Sequence, residues 1–125
     1  MARWLAEDDE LTAYRGDGRH LFCLMHASTT VEEDWRSHYE KKKKPRHAEI
    51  VNAMDHMGLS MWDAIEPLGE LSRQFPKQLG TFVVRVELDG ALGIWFAETG
   101  PEGHYTVWGR PADLQRSASL PGLPV

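Results

Sequence analysis

The chain is expected to fold as an α+β domain, an antiparallel or mixed sheet of about five strands with two or three helices packed on it. Three observations lead there. Two β-rich runs precede residue 27, apolar residues then fall at helical spacing between Thr30 and Pro76, and strand periodicity returns from Thr81 onward. Strands, then helices, then strands is the order of an α+β fold, whereas a doubly wound parallel sheet needs strict alternation. No internal repeat or low-complexity linker divides residues 1–125, so they are read as a single domain.

Residues 11–15 and 20–26 are rich in apolar and aromatic side chains, and Gly16-Asp17-Gly18 between them supplies the residues of a hairpin turn. Thr30 opens a helix, since its hydroxyl can accept from the Glu33 amide while the Glu33 carboxylate reaches back. Glu32, Glu33 and Asp34 at its start and Lys41 to Lys44 at its end follow the order the helix dipole favours, and Pro45 stops it. Ile50, Val51, Met54 and Met57 mark a second helix over residues 47–57, with Gly58 at its end. Asp63 with Glu66 caps a third, which tolerates Pro67 in its first turn and closes before Pro76.

Residues 81–88 are dense in β-branched side chains and end at Asp89-Gly90, so they form a strand with a turn after it. Residues 91–97 are expected to pair back on that strand, and residues 104–108 to add another. Pro111 suits the first position of a short helix through Leu114, and the tail at 118–125 reads as an edge strand or a frayed end.

Composition narrows the function. With 42% hydrophobic and 26% charged residues, the chain can bury a core without staples. Cys23 is the only cysteine, which rules out an internal disulfide and a cysteine-rich zinc site and suits a reducing compartment. The first residues lack the apolar run of a signal peptide, and no segment reaches membrane-spanning length, so the cytoplasm is the expected location and no membrane partner is expected. A net charge of -5 counts against general nucleic-acid binding and favours a basic partner. The run Lys41 to Lys44 with Arg46 can hold an anion or lie as a solvated helix end. His20, His26, His38, His47, His56 and His104 lack the spacing of converging ligands, and no metal is expected.

Three clusters can carry chemistry. Tyr14-Arg15-Gly16 ends a strand with a planar guanidinium beside a glycine, which lets it approach a phosphate or carboxylate. Gly58-Leu59-Ser60 precedes the third helix, where Ser60 and nearby amides can face an anion. Gly103-His104-Tyr105-Thr106-Val107-Trp108-Gly109-Arg110 is the richest: strand alternation puts His104, Thr106 and Trp108 on one face, as for a ligand, or else the aromatics pack inward. Five tryptophans, Trp4, Trp35, Trp62, Trp95 and Trp108, read chiefly as core and rim.

Asp34-Trp35-Arg36-Ser37-His38, Pro45-Arg46, Gly58-Leu59-Ser60, the His104 strand and the closing Pro124-Val125 together resemble a group of small uncharacterised bacterial proteins. More remotely, a first strand ending in Arg15-Gly16, a Gly- and Ser-containing turn and terminal strands resemble the ADP-ribosyltransferase-like fold. That resemblance implies NAD as cofactor, with Tyr14, Arg15, Gly16, Ser60, Tyr105 and Trp108 around it. It also implies Arg15 and His104 as catalytic groups and Glu98 as the late carboxylate that stabilises a ribosyl cation. The paired Glu-x-Glu of many such transferases is missing, which leaves Glu98 and Glu102 as the late acids. Two further readings stand beside it. One is a non-enzymatic interaction or regulatory module of toxin-neutralising or mobile-element type, binding a basic protein. The other is a hydrolase or isomerase with His104 as general base, for which no nucleophile motif is present.

Overall fold

In the computed structural model, residues 2–6, 9–36 and 58–125 are described. Strands β1 (Ala2–Ala6), β2 (Asp9–Arg15) and β3 (Asp17–Met25) come first, followed by a 3-10 turn at Glu32–Trp35 and strand β4 (Leu59–Trp62). Helices α1 (Glu66–Gln74) and α2 (Pro76–Leu79) lead into β5 (Phe82–Asp89), a 3-10 turn at Gly90–Leu92, β6 (Trp95–Glu98) and β7 (His104–Trp108). Helix α3 (Pro111–Ser117) and β8 (Ala118–Pro124) complete the order. The class is α+β as expected, but among the described residues the sheet has eight strands, in the order β1-β2-β6-β7-β4-β3-β5-β8, and every pairing there is antiparallel.

The hairpin expected at Gly16-Asp17-Gly18 is not formed. β2 and β3 follow one another through Gly16 without reversal: Tyr14 and Arg15 pair with Phe96 and Trp95 of β6, whereas Asp17 pairs with Asp89 of β5. Close approach explains the glycine. A Cβ on Gly16 would lie 2.4 Å from the Leu88 carbonyl oxygen, and one on Gly90 would lie 2.4 Å from that of Gly16. Two long strand segments touch backbone to backbone here, and the Gly16 amide donates to Ile94 O at 2.7 Å. Residues that usually make a turn serve a crossing instead.

The same crossing redirects β6. Residues 91–97 do not fold back on β5, because the Asp89 side chain accepts from the Ala91 amide at 2.8 Å and fixes a 3-10 turn that carries the chain onward. β6 then pairs with β2 and β7. The pairings therefore return on themselves: β5 runs into β6, β6 pairs β7, β7 pairs β4, and β4 meets β3 through the single pair Phe22↔Trp62.

Alternation fills the enclosed space. Leu21, Cys23 and Met25 of β3 face Val84, Val86 and Leu88 of β5, with Leu21 opposite Val86 and Cys23 opposite Val84. Met61, Ile94, Phe96, Tyr105 and Val107 join them, and Leu114 of α3 and Trp35 close the flank. Each such side chain contributes roughly 1.5–3 kcal/mol on full burial, so period-two alternation is what holds the register.

Burial pushes the Cys23 thiol up to about 12, and its Sγ sits 3.8 Å from the Val84 carbonyl oxygen. The native thiol is therefore expected to be silent to a disulfide reagent in mildly alkaline buffer and to react fully after unfolding. The folded state holds this proton more tightly than an unfolded chain whose thiol titrates near 9.0. Its contribution to stability is thus complete below the unfolded value and is lost as pH rises from 9.0 toward about 12. Denaturant titrations across that window measure the loss.

Helix boundaries depart from local signals where tertiary partners compete. Thr30 makes no capping box with Glu33. Its hydroxyl donates to Gln115 Oε1 at 2.5 Å and accepts from the Trp35 indole, while the Asp34 carboxylate accepts from the Val31 amide at 2.8 Å. The Asp63–Glu66 cap is absent as well, since Ile65 precedes α1 without a side-chain bond and the Asp63 amide donates to Gly103 O at 3.0 Å. Pro67 does lie in the first turn, and Pro111 opens α3 as expected, with the helix running on to Ser117. The end of the first expected helix, the Lys41–Arg46 run and the helix at 47–57 lie outside the described residues. No helix among the described residues is long and apolar enough to cross a membrane.

Candidate functional site

Strands β4 and β7 build the site. Their register pairs Leu59 with Val107, Ser60 with Thr106, Met61 with Tyr105 and Trp62 with His104. Since opposite residues share a face, Met61, Tyr105 and Val107 point into the core, and Ser60, Trp62, His104, Thr106 and Trp108 point the other way. β6 adds Trp95 beside Trp108 and Ala97 beside Thr106, and β2 adds Arg15 beside Trp95. Ser60 is thus not at a helix start, as the Gly-Leu-Ser turn suggested. Pairing with β7 draws residues 59–62 into the sheet and makes Ser60 a strand residue.

His104 is fixed on three sides. Its Nδ1 lies 2.7 Å from the Thr99 carbonyl oxygen and 3.1 Å from Thr99 Oγ1, and its Nε2 is hydrogen-bonded to Ser60 Oγ. A carbonyl oxygen only accepts, so Nδ1 carries the hydrogen of the neutral ring. The Nε2 lone pair then receives the Ser60 hydroxyl. Trp62 meets the imidazole edge to face, ring centroids 4.8 Å apart at 69°. Thr99 Oγ1 also bonds Thr106 Oγ1 at 2.8 Å, which ties the hydroxyls of β7 and the preceding loop into one network. The loop is held by two backbone bonds, Thr99 N to His104 O at 3.0 Å and His104 N to Pro101 O at 3.1 Å.

This network lines a cavity of about 290 Å³ bounded by Gly58, Leu59, Ser60, Thr99, Gly100, Pro101, His104 and Thr106. None of these side chains is an acid or a strong base. Ser60 and Leu59 also border a second cavity, of about 230 Å³, that runs past Trp62 toward Met25 and Leu68. Among the described residues, no three His, Cys, Asp or Glu side chains group as metal ligands.

The other expected site residues divide between two faces. Arg15 shares the face of Ser60, His104 and Trp108 but stands at its far end, its guanidinium carbon 5.6 Å from the Trp95 ring centre, and does not line the cavity. Tyr14, Glu98 and Tyr105 lie on the opposite face. Tyr14 sits 6.0 Å from the Phe96 ring, Tyr105 is buried 6.1 Å from it, and Glu98, opposite Tyr105 in the register, is exposed. Gly16 is at the strand crossing. Sequence reasoning brought out His104, Ser60 and Thr106 but not Thr99 or the part Trp62 plays, because these meet His104 only through the loop and the ladder. It also missed Arg19, whose guanidinium carbon sits 4.5 Å above Phe96. Its bond to Asp17, at 2.9 Å, holds that carboxyl below the usual range.

No protein-family model, curated protein or solved structure matches the chain. Fold and site together define its class: an α+β domain carrying a cavity with an apolar wall and a serine–histidine pair on the outward face of an antiparallel sheet.

Proposed function

We propose that the chain is a small-molecule-binding domain, with the cavity at the β4–β7 ladder as its site and His104 and Ser60 as the groups that engage the ligand. The observation that carries this reading is the convergence of an oriented imidazole and an exposed serine hydroxyl on one concavity. Ligand sites combine an apolar wall with a few convergent polar groups, and Leu59 and Pro101 supply that wall. At about 290 Å³ the cavity suits a ligand of one or two rings, or one end of a dinucleotide.

NAD, the cofactor implied by the sequence resemblance, is the first ligand to try, since imidazole and serine suit ribose hydroxyls. Transfer of ADP-ribose also needs a carboxylate beside the developing cation. Glu98 faces away from the cavity, so the proposal is binding rather than transfer. Thermal melts in millimolar NAD, ADP-ribose and nicotinamide test it. A rise in Tm that grows with ligand concentration and is lost in His104→Ala is expected, and unchanged melts with all three overturn the NAD reading.

A second reading, the interaction module with a basic protein partner, is favoured by the edge strand β8. There and just after it, Leu120, Leu123 and Val125 are 38%, 68% and 49% exposed on a chain of net charge -5. It requires no ligand response in the same melts. With one buried cysteine, either reading suits a reducing location such as the cytoplasm.

A further inference from the structure

We propose that Ser60 is a nucleophile, and that the cavity accepts a short, uncharged acyl group from a carboxylic ester. This rests on reading the cavity as a ligand site and adds a reaction to it.

A serine hydroxyl is a weak nucleophile unless a base stands within hydrogen-bond reach and a third group orients the base. Here the three occur in sequence: Ser60 Oγ on His104 Nε2, and His104 Nδ1 at 2.7 Å on the Thr99 carbonyl. The carbonyl selects the tautomer in which Nε2 is free to take the serine proton. Trp62 against the ring and the Thr99 hydroxyl at 3.1 Å from Nδ1 limit its rotation. Ser60 is exposed where His104 is half-buried, so the attacking atom is open to substrate while the base is shielded.

The walls set the substrate class. Leu59, Pro101, Gly58 and Gly100 offer an apolar lining with no charged side chain, which suits a short aliphatic acyl chain and disfavours an acidic one. In the first step Ser60 Oγ bonds the ester carbonyl carbon as its proton passes to His104 Nε2. The bond from that carbon to the alcohol oxygen breaks, and Nε2 returns the proton to the departing alkoxide. Water then adds to the acyl-serine carbon, again losing a proton to Nε2. The Oγ–carbon bond breaks, Oγ recovers the proton, and the carboxylic acid leaves. Ester and water become alcohol and acid, with no other reactant. A neutral carbonyl behind the imidazole stabilises the transient imidazolium less than a carboxylate does, so a slow reaction with activated esters is expected.

The test uses the full chain with p-nitrophenyl acetate and, separately, a fluorophosphonate. A single adduct mapped to Ser60 by peptide mass spectrometry is expected with both, together with nitrophenol release that falls at least about a hundredfold in Ser60→Ala and in His104→Gln. His104→Gln keeps a hydrogen-bonding side chain, and far-UV circular dichroism of both variants confirms folding. Adducts elsewhere, or release in Ser60→Ala equal to wild type, overturn the proposal. If wild type fails to label yet still responds to a ligand in thermal melts, the nucleophile is wrong and the binding site stands. If it does neither, both fall.

Discussion

Replacing Trp35 with alanine is expected to lower the unfolding free energy by about 3–5 kcal/mol, the range for deleting a large aromatic from a packed core. Its side chain is fully buried, and it carries more than apolar area. The indole N–H donates to Gln115 Oε1 at 2.5 Å and to Thr30 Oγ1 at 3.1 Å, and Gln115 Nε2 donates to the Thr30 carbonyl at 2.7 Å. These bonds clamp the 3-10 turn at Glu32–Trp35 to α3, so Trp35→Ala removes both a plug and a clasp. Trp35→Phe separates the two. It keeps most of the volume, leaves Gln115 Oε1 with the Thr30 hydroxyl as donor, and should cost nearer 1 kcal/mol. Urea unfolding followed by circular dichroism gives both values. An unchanged slope with a shifted midpoint shows that stability has changed without a change in the surface exposed on unfolding. Equal losses in the two variants would show that the hydrogen bonds, and not the packing, dominate.

Trp35 also marks how far the sequence was legible. Asp34-Trp35-Arg36 stood out as part of a motif, yet nothing local tells a packing tryptophan from a functional one. Its partner Gln115 lies 80 residues away. β5 lies at the other extreme: Val84, Val86 and Leu88 alternate with Arg85 and Glu87, and the burial follows letter by letter. Alternation likewise placed His104, Thr106 and Trp108 on one face of β7, because a strand's faces depend only on its own residues.

What failed was long-range pairing. Gly16-Asp17-Gly18 offers the same residues to a hairpin and to a crossing, and only the approach of Leu88 and Gly90 decides between them. Ser60 looked like the start of a helix because four residues are too few to show a period, and β7, 44 residues on, makes them a strand. Glu98 was assigned by its lateness in the chain. Whether it shares a face with His104 depends on how the loop between them counts residues, and that loop contains Gly100 and Gly103 at φ of 66° and 84°. The candidate site was therefore legible as its residue types, His104 and Ser60, and not as an arrangement.

Gly80→Ala should be as damaging as the loss of Trp35. Gly80 joins α2 to β5 at φ 93° and ψ 179°, a backbone region open essentially to glycine alone, and an L side chain held there costs about 1–3 kcal/mol. A Cβ would also lie 2.2 Å from the Met25 carbonyl oxygen and 2.8 Å from the His26 amide nitrogen. Both are backbone atoms of the adjoining chain, so no rotamer change relieves the overlap, which adds about 1–3 kcal/mol more. The surroundings resist a shift: the Gly80 amide donates to Pro76 O at 2.9 Å, its carbonyl accepts from buried Ser72 Oγ at 2.8 Å, and Phe82 pairs with Met25 two residues on. Gly18→Ala is the matched control. Gly18 has a φ of 88° with nothing within 4 Å of the added carbon, so it pays the conformational cost without the collision. Thermal melts should put Gly80→Ala well below Gly18→Ala, by about 5 °C or more. If the two melt together, the chain does not pass this close to the end of β3, and the packing of α2 against that end is wrong.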